Sequence, residues 1–470
     1  MKKIKFGTDG WRDIIAENYT FDNVNKLTKA LCSYLIDNTE NRKLVVGYDV
    51  RFRSNDFAYT VSEVASSYGF EVYLSESPTP TPVVSWNIKN LKACGGVVIT
   101  ASHNPYKYNG YKFKTSHGGS AHSEITKTIE DILYNSNFKQ YDSKKNGSIV
   151  YFDPYPAYLK QINNLINLDL IRKSNICIYV DPMNGAGANY FSRILNTSNF
   201  NIKEINSNYD PLFNNRNPEP LSHNLKELSK IVSEDNSSLK IGLALDGDAD
   251  RIGAISGNGE FINSHQIFAI ILKHLYENKG LKGDVVKTFS VSRMIDRLCK
   301  LYNLKLYETP IGFKNIYSYM LTKDILIGGE ESGGIGIKNH IPERDGILIG
   351  LMLAEIVSLY QNDLKDILKK IEDKIDFTHN YDRIDLHNIY NKEYIIKTLS
   401  KEFPEQINSV KVDRIENLDG LKFCFTDDSW ILFRTSGTEP ILRIYSESRT
   451  KKQLQQLLQT GKNLVEKLNL

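Results

Sequence analysis

The stretch "GGVVITASHNPYK", residues 95–107, is where the fold is decided. Gly96 to Ile99 form an apolar run that reads as extended and buried. Ala101 to Asn104 are small or polar, and Pro105 then forbids smooth continuation of helix or ladder. Ser102 therefore falls on a loop tip at the carboxyl end of a strand. Ligands of open α/β sheets bind at those ends, so its hydroxyl is a candidate nucleophile, set against the plainer reading of a Ser/Asn turn feeding an N-cap.

Working outward, runs of the same kind recur, each ending in Gly, Asp or Ser and followed by a helical pattern. The clearest are "KLVVGYD" (43–49), "NICIYVDPMNGAG" (175–187), "KIGLALDGD" (240–248), "GDVVKTFS" (283–290) and "DILIGGEES" (324–332). The alternation predicts parallel strands joined by crossover helices. "YDSKKNGSIVYFDPYP" (141–156) is a polar, turn-rich break, and "ISGNGEFIN" (255–263) reads as a hairpin. After the helical "ILIGLMLAEIVSLYQ" (347–361) and "LKDILKKIEDKI" the pattern changes to short strands, "DGLKFCFTDDSWILFRTS" (419–436) and "ILRIYSES", then an amphipathic helix from Lys451. The expected fold is three successive α/β mixed-sheet domains, 1–148, 149–254 and 255–376, and a C-terminal α+β domain, 377–470.

Composition narrows the function. With 41% apolar and 24% charged residues among 470, the chain reads as an ordinary globular enzyme. Its net charge of +3 comes without a dense basic run, so no nucleic acid partner is expected. Cys32, Cys94, Cys177, Cys299 and Cys424 are odd in number, far apart and mostly in apolar contexts, which reads as reduced core thiols. "MKKIKFGTDGWRDII" lacks the apolar region of a signal peptide and no segment is long enough to span a bilayer, so a cytoplasmic protein without a membrane partner is expected.

Four further loops carry chemistry. "LALDGDADRIGAIS" (243–256) sets Asp246, Asp248 and Asp250 at alternate positions after a buried strand. Three crowded carboxylates repel unless a hard cation neutralises them, which favours Mg²⁺ or Ca²⁺. The calcium-sensor loop is excluded, because Arg251 and Gly257 stand where it needs Gly and Glu. Arg251 can pair with an acid or hold a phosphate. "RTSGTEPILRIY" (434–445) offers Arg434, Ser436, Gly437, Thr438 and Arg443, the donors a phosphate dianion needs, or else a plain Ser-Gly turn. "GGEESGGIG" (328–336) offers Glu330 and Ser332 to vicinal sugar hydroxyls, or else an acidic turn. "FGTDGWRD" (6–13) puts Arg12 on a Gly-rich turn as a catalytic candidate that can bind a phosphate near Ser102, with Trp11 expected to pack.

In this order the five segments "GTDGWR", "TASHNPYKYNGYK", "DGDADR", "GGEESGG" and "RTSGTEP" resemble the phosphohexomutase family, the phosphoglucomutases and phosphomannomutases, over essentially the whole chain. The resemblance implies a four-domain, heart-shaped enzyme with one loop from each domain meeting in a central cleft. It implies Ser102 as the phosphoryl carrier, with Ser102, Asp246, Asp248 and Asp250 around Mg²⁺. Glu330 and Ser332 would read the sugar, and Arg434, Ser436, Gly437, Thr438 and Arg443 would cradle the phosphate that is not reacting. Lys112 resembles the acid/base candidate, its pKa open to lowering by cations such as Arg12. His103 and Arg251 join the catalytic set, His103 as an orienting or phosphate-contacting group, and Asn104 fixes the loop. Lys314 and Lys287 are weaker substrate contacts, against a solvated surface role for each.

The expected reaction interconverts glucose 1-phosphate and glucose 6-phosphate through a phosphoserine and a 1,6-bisphosphate, with glucose 1,6-bisphosphate as activator. Members that also take mannose often read Gly-Glu-Met-Ser-Gly-His in the sugar loop, where Glu331 and Gly334 replace the Met and the His. That favours glucose over a mannose or dual-specificity mutase, and disfavours glucosamine phosphate. A Mg²⁺-dependent phosphomonoesterase needs no second phosphate site. A non-catalytic sugar-phosphate binder would be expected to have lost Ser102 or an aspartate. A hexose phosphate is the expected ligand, on a monomer or homodimer.

Overall fold

A computed structural model describes residues 3–7, 9–135, 138–139, 147–195, 201–407, 409–435 and 440–469. Its strands are β1 (Trp11–Ile14), β2 (Lys43–Tyr48), β3 (Glu71–Ser75), β4 (Gly95–Ile99), β5 (Tyr108–Thr115), β6 (Ser148–Phe152), β7 (Cys177–Asp181), β8 (Ile202–Glu204), β9 (Lys240–Leu245), β10 (Ile252–Ile255) and β11 (Phe261–Ile262). They continue with β12 (Asp284–Thr288), β13 (Leu306–Thr309), β14 (Ile325–Gly329), β15 (Ile335–Ile337), β16 (Asn380–His387), β17 (Gln406–Ile407), β18 (Val410–Glu416), β19 (Leu421–Phe425), β20 (Trp430–Thr435) and β21 (Ile441–Ser448). The chain divides into two compact units: residues 1–284 with 312–367, and 285–311 with 368–470.

In the first unit, one sheet has the order β1-β5-β4-β2-β3-β6 and a second the order β11-β10-β9-β7-β8. Pairing is parallel from β4 through β2 and β3 to β6, as the strand–helix alternation predicts. β5 pairs antiparallel with β4 and β1 antiparallel with β5, while β10 pairs antiparallel with β9 and β11 with β10, so both sheets are mixed. The β10–β11 hairpin falls where "ISGNGEFIN" indicates a turn. β4 is buried on both faces, its Val97 and Ile99 joining the core formed with helices Phe21–Asn38 and Ser54–Ser67. Thr20 caps the first of these helices by accepting from the Asn23 amide.

β5 departs from the pattern a strand should show. Tyr111 and Phe113 pack into the core, while Lys112 and Lys114 on the opposite face are also fully buried, against acids. The third α/β segment contributes the antiparallel pair β14–β15 to the first unit and the parallel pair β12–β13 to the second. Helix Gly346–Tyr360 is buried on nearly every side, and its N-cap Asp345 accepts from the Leu348 amide at 2.9 Å. Among the described residues, no single helix is long and apolar enough to cross a membrane.

The second unit carries an antiparallel sheet of order β16-β21-β20-β19-β18-β17, covered by helix Lys451–Leu468. Leu454, Leu457, Leu458 and Val465 of that helix bury their side chains against Phe423, Ile431, Phe433 and Ile444. All five cysteines are buried, and none is in a disulfide.

Candidate active site

β4 and β9 both end in tight loops, and the residue at each bend adopts φ > 0: +53° at Ser102 and +59° at Ala249. The first loop delivers Ser102 and the second Asp246, Asp248 and Asp250. Ser102 Oγ donates to Asp246 Oδ2 at 2.7 Å, joining residues far apart in sequence. All four side chains are essentially inaccessible.

The acidic triad has the makings of a hard-cation site. One carboxylate oxygen from each aspartate lies within 4.8 Å of the others. Asp248 Oδ1 and Asp250 Oδ1 are buried with no hydrogen-bond partner, an arrangement that is costly unless something positive sits between them. Burial first, then the like charges of Asp250 and Asp248, push the Asp246 carboxyl well above its ordinary value. The oxygen-only set fits Mg²⁺ chemistry, and Asp246, Asp248 and Asp250 are the residues that would hold the ion.

Lys112 lies directly behind the triad. Its Nζ is 2.7 Å from Asp248 Oδ2, 3.0 Å from Asp250 Oδ2 and 2.8 Å from Asp9 Oδ2. Burial by itself would depress this lysine, but Asp248, Asp250 and Asp9 hold it well above its ordinary value. This corrects the expectation that neighbouring cations lower it: the nearest charges are acids. The same contacts keep Asp248 below the ordinary carboxylate range despite its burial.

His103 Nδ1 lies 3.3 Å from Ser102 Oγ. Burial, followed by the charges of Arg251, Arg12, Lys112 and Arg51, drives its imidazole well below the ordinary histidine value, so it is neutral. Arg12 Nη1 donates to Asn104 Oδ1 at 2.7 Å and ties β1 to the Ser102 loop. Arg251 donates its backbone N–H to Asp246 Oδ1 at 3.1 Å and its Nη1 to Glu219 at 3.4 Å, while its buried Nε has no acceptor. Trp11 is buried and stacks on Tyr19, as expected of a packing residue.

In the loop after β14, Glu330 is buried and Ser332 half-buried. Glu330 Oε1 accepts from the Gly312 amide at 3.0 Å, and burial raises its carboxyl above the ordinary value. Lys314 points elsewhere: its Nζ donates to Ser123 Oγ at 2.8 Å. Lys287 is fully buried and bonded to Asp296 rather than solvated.

In the second unit, Arg434 on β20 and Arg443 on β21 are direct cross-strand partners. Arg434 Nε lies 3.2 Å from Asp419, and Arg443 Nε 3.5 Å from Asp385. Like charges directly opposite in a ladder are unfavourable, so this pair needs those acids or an external anion. Ser436, Gly437 and Thr438 lie outside the described residues.

Five charged residues that sequence reasoning passed over complete the first unit's site: Asp9, Lys114, Glu343, Arg344 and Glu219. Arg344 Nη2 reaches Asp9 at 2.5 Å and Asp250 at 2.8 Å, and its Nη1 lies 3.6 Å from Glu330. Lys114 Nζ bridges Asp9 at 3.0 Å and Glu343 at 2.6 Å. A Cβ on Gly334 would lie 2.1 Å from Arg344 Cδ, so the arginine stem fills the space of a side chain there. The alternation in "YKFK" carried no signal of this cluster, because two lysines on one strand face ordinarily meet water.

Comparison with known proteins agrees along the full chain. Residues 3–140, 156–259, 263–375 and 396–460 match, in turn, the phosphoglucomutase/phosphomannomutase alpha/beta/alpha domains I, II and III and the C-terminal domain of that family. The chain is 30% identical to a phosphoglucomutase/phosphomannomutase of Thermococcus kodakarensis, covering 98% of each protein. It is 31% identical to a phosphoglucosamine/phosphogalactosamine mutase of Sulfurisphaera tokodaii, covering 98% of this chain and 99% of the other. A crystal structure from Thermus thermophilus carrying the name phosphomannomutase superposes with a TM-score of 0.87 at 33% identity, covering 99% of both chains. With all four domain types matched in order and a mutase at 30% identity along nearly its whole length, the chain belongs to the phosphoglucomutase/phosphomannomutase family and is a phosphohexomutase.

Proposed function

We propose that this phosphohexomutase interconverts glucose 1-phosphate and glucose 6-phosphate, carrying the transferable phosphoryl group on Ser102. The observation that carries the reading is the 2.7 Å contact of Ser102 Oγ with Asp246, inside a buried triad that has two unpartnered carboxylate oxygens. In the resting form the phosphoryl group is on Ser102 and passes to the free hydroxyl of the hexose monophosphate. The resulting 1,6-bisphosphate turns within the site and returns its other phosphoryl group to Ser102. Glucose 1,6-bisphosphate then serves as activator, because it recharges any serine that has lost its group.

Phosphoryl transfer asks a protein mainly for positioning and charge neutralisation. Mg²⁺ on Asp246, Asp248 and Asp250 would neutralise charge on the transferred group. Arg12 and Arg251 bring positive charge to the same place, and neutral His103 orients the serine hydroxyl. Lys112 is our candidate for moving the sugar hydroxyl proton on the family resemblance, as a donor in its charged form, because Asp248, Asp250 and Asp9 hold its ammonium protonated. Glu330 and Ser332 read sugar hydroxyls, and Arg434 and Arg443, with Ser436, Gly437 and Thr438, hold the phosphate that is not reacting.

Glucose preference is supported by the filled space at Gly334, which leaves no room for an imidazole in the sugar loop. Glucosamine phosphate is the second reading, favoured by the names of several relatives at 30–31% identity. A coupled assay of glucose 1-phosphate conversion with Mg²⁺ and trace glucose 1,6-bisphosphate, run beside Ser102→Ala and with mannose and glucosamine phosphates as competitors, tests both. Activity lost in Ser102→Ala and highest with glucose supports the proposal; stronger turnover of another hexose phosphate replaces the substrate and keeps the chemistry. Release of inorganic phosphate without isomerisation would mean a phosphatase.

A further inference from the structure

A side chain outside the catalytic set above holds the Ser102 loop. Arg51 is buried, and its guanidinium is spent almost entirely on that loop. Nη2 donates to the Ser102 carbonyl at 2.7 Å and the Asn104 carbonyl at 2.6 Å. Nη1 donates to the Pro105 and Tyr108 carbonyls, both at 3.0 Å, and Nε to Asp49 Oδ2 at 3.1 Å. All five N–H donors of a guanidinium are therefore committed. Asp49 is fixed in turn by Thr100 Oγ1 at 2.6 Å and Ser54 Oγ at 2.9 Å, and Thr100 Oγ1 accepts from the Ser102 amide at 2.9 Å.

The loop needs such a hold. A serine at φ +53° sits in a sparsely populated region and relaxes unless its surroundings impose that conformation. The face of the Arg51 guanidinium rests on the Phe213 ring, 4.8 Å from its centroid. Phe213, Asn214 and Asn215 form a left-handed turn, with φ of +51°, +53° and +56°. Asn tolerates that region, but a bulky aromatic seldom occupies it, so the conformation of Phe213 points to a purpose. A Cβ on Gly247 would lie 2.6 Å from the Ser102 carbonyl oxygen and 3.4 Å from the Phe213 ring, so nucleophile loop, acidic loop and left-handed turn are in mutual contact.

We propose that Arg51 is a positioning residue that clamps the Ser102 loop in its left-handed conformation, with the Phe213 turn as backstop, so that Oγ stays aimed at the acidic triad. This rests on Ser102 being the phosphoryl carrier. The clamp depends on a planar fork reaching four carbonyls, which an ammonium group does not reproduce. Arg51→Lys thus keeps the charge and removes the fork.

The test compares full-length wild type, Ser102→Ala, Arg51→Lys and Phe213→Leu by thermal unfolding, by kcat and KM for glucose 1-phosphate, and by the rate at which glucose 1,6-bisphosphate phosphorylates Ser102, followed by intact mass. Arg51→Lys is expected to lose about 100-fold in phosphorylation rate and kcat with KM changed less than about threefold. Phe213→Leu is expected to lose about 10-fold in the same two quantities. A folded Arg51→Lys enzyme phosphorylated at the wild-type rate overturns the clamp, as does a loss confined to KM. If Arg51→Lys does not fold, Phe213→Leu decides: a wild-type phosphorylation rate overturns the proposal and a slowed one supports it. Full activity in Ser102→Ala overturns the carrier assignment instead, which separates the two failures.

Discussion

Single residues here are set by what surrounds them, and two make this measurable. Lys422 is fully buried between Phe289 and Trp430, with Nζ 4.6 Å from each ring centroid, and donates to the Phe289 carbonyl at 2.8 Å. Burial, and then the Arg293 guanidinium, push its ammonium down from 10.5 to about 8. The unfolded chain holds that proton more tightly, so stability should rise as pH climbs from 8 towards 10.5, by at most about 3 kcal/mol from this group. Urea unfolding of wild type and Lys422→Met at pH 7, 8 and 9 should show that rise only in the wild type; parallel curves would refute it. At Gly334, a methyl group collides with Arg344, whose guanidinium is pinned by Asp9 and Asp250. Gly334→Ala should cost about 1–3 kcal/mol, read as a lower unfolding midpoint, and should reduce mutase activity because Arg344 also faces Glu330.

At the scale of elements, the β20–β21 pair sets two arginines opposite each other and gives each an aspartate as its neighbour. If the ladder holds the substrate phosphate as proposed, it exchanges those internal acids for the ligand. Arg443→Met should raise KM for the hexose phosphate about 10- to 100-fold with a smaller change in kcat, as loss of a charged hydrogen bond predicts. A kcat loss with unchanged KM would remove this ladder from the phosphate site. β5 shows how an element can hide from pattern reading. Its Tyr111 and Phe113 mark a strand, but Lys112 and Lys114 between and after them make it look half-solvated, and only their burial against Asp9, Asp248 and Glu343 reveals that neither face meets water.

For the molecule as a whole, each compact unit holds buried carboxylates whose protonation should destabilise it in acid. In the second, Glu447 is buried, yet accepts from Trp430 Nε1 at 2.7 Å and the Arg293 amide at 2.9 Å, and is paired with His379. Burial opposes its charge, but the His379 and Ser292 contacts and the Arg293 amide outweigh it and hold the carboxyl at about 2, below its ordinary 4.5. Its contribution, about 3 kcal/mol, is complete above pH 4.5 and is lost as pH falls towards 2. Calorimetry between pH 5 and 3 should show a transition of the wild type moving down faster than that of Glu447→Gln; equal slopes would count against the assignment. The α/β succession and the loops that end β4, β9 and β14 are legible in the chain, with Ser102, Asp246, Asp248, Asp250 and Glu330 as candidate site residues, because strand-to-loop chemistry is local and leaves its mark in consecutive residues. Only the folded chain shows that β1 and β5 run antiparallel, that Lys112 is surrounded by acids, and that Asp9, Arg51, Arg344 and Phe213 pack around the Ser102 loop and the acidic loop. Those roles arise from side chains dozens to hundreds of positions apart, and charge pairing across such distances exists only once burial has brought the groups together and removed the water between them.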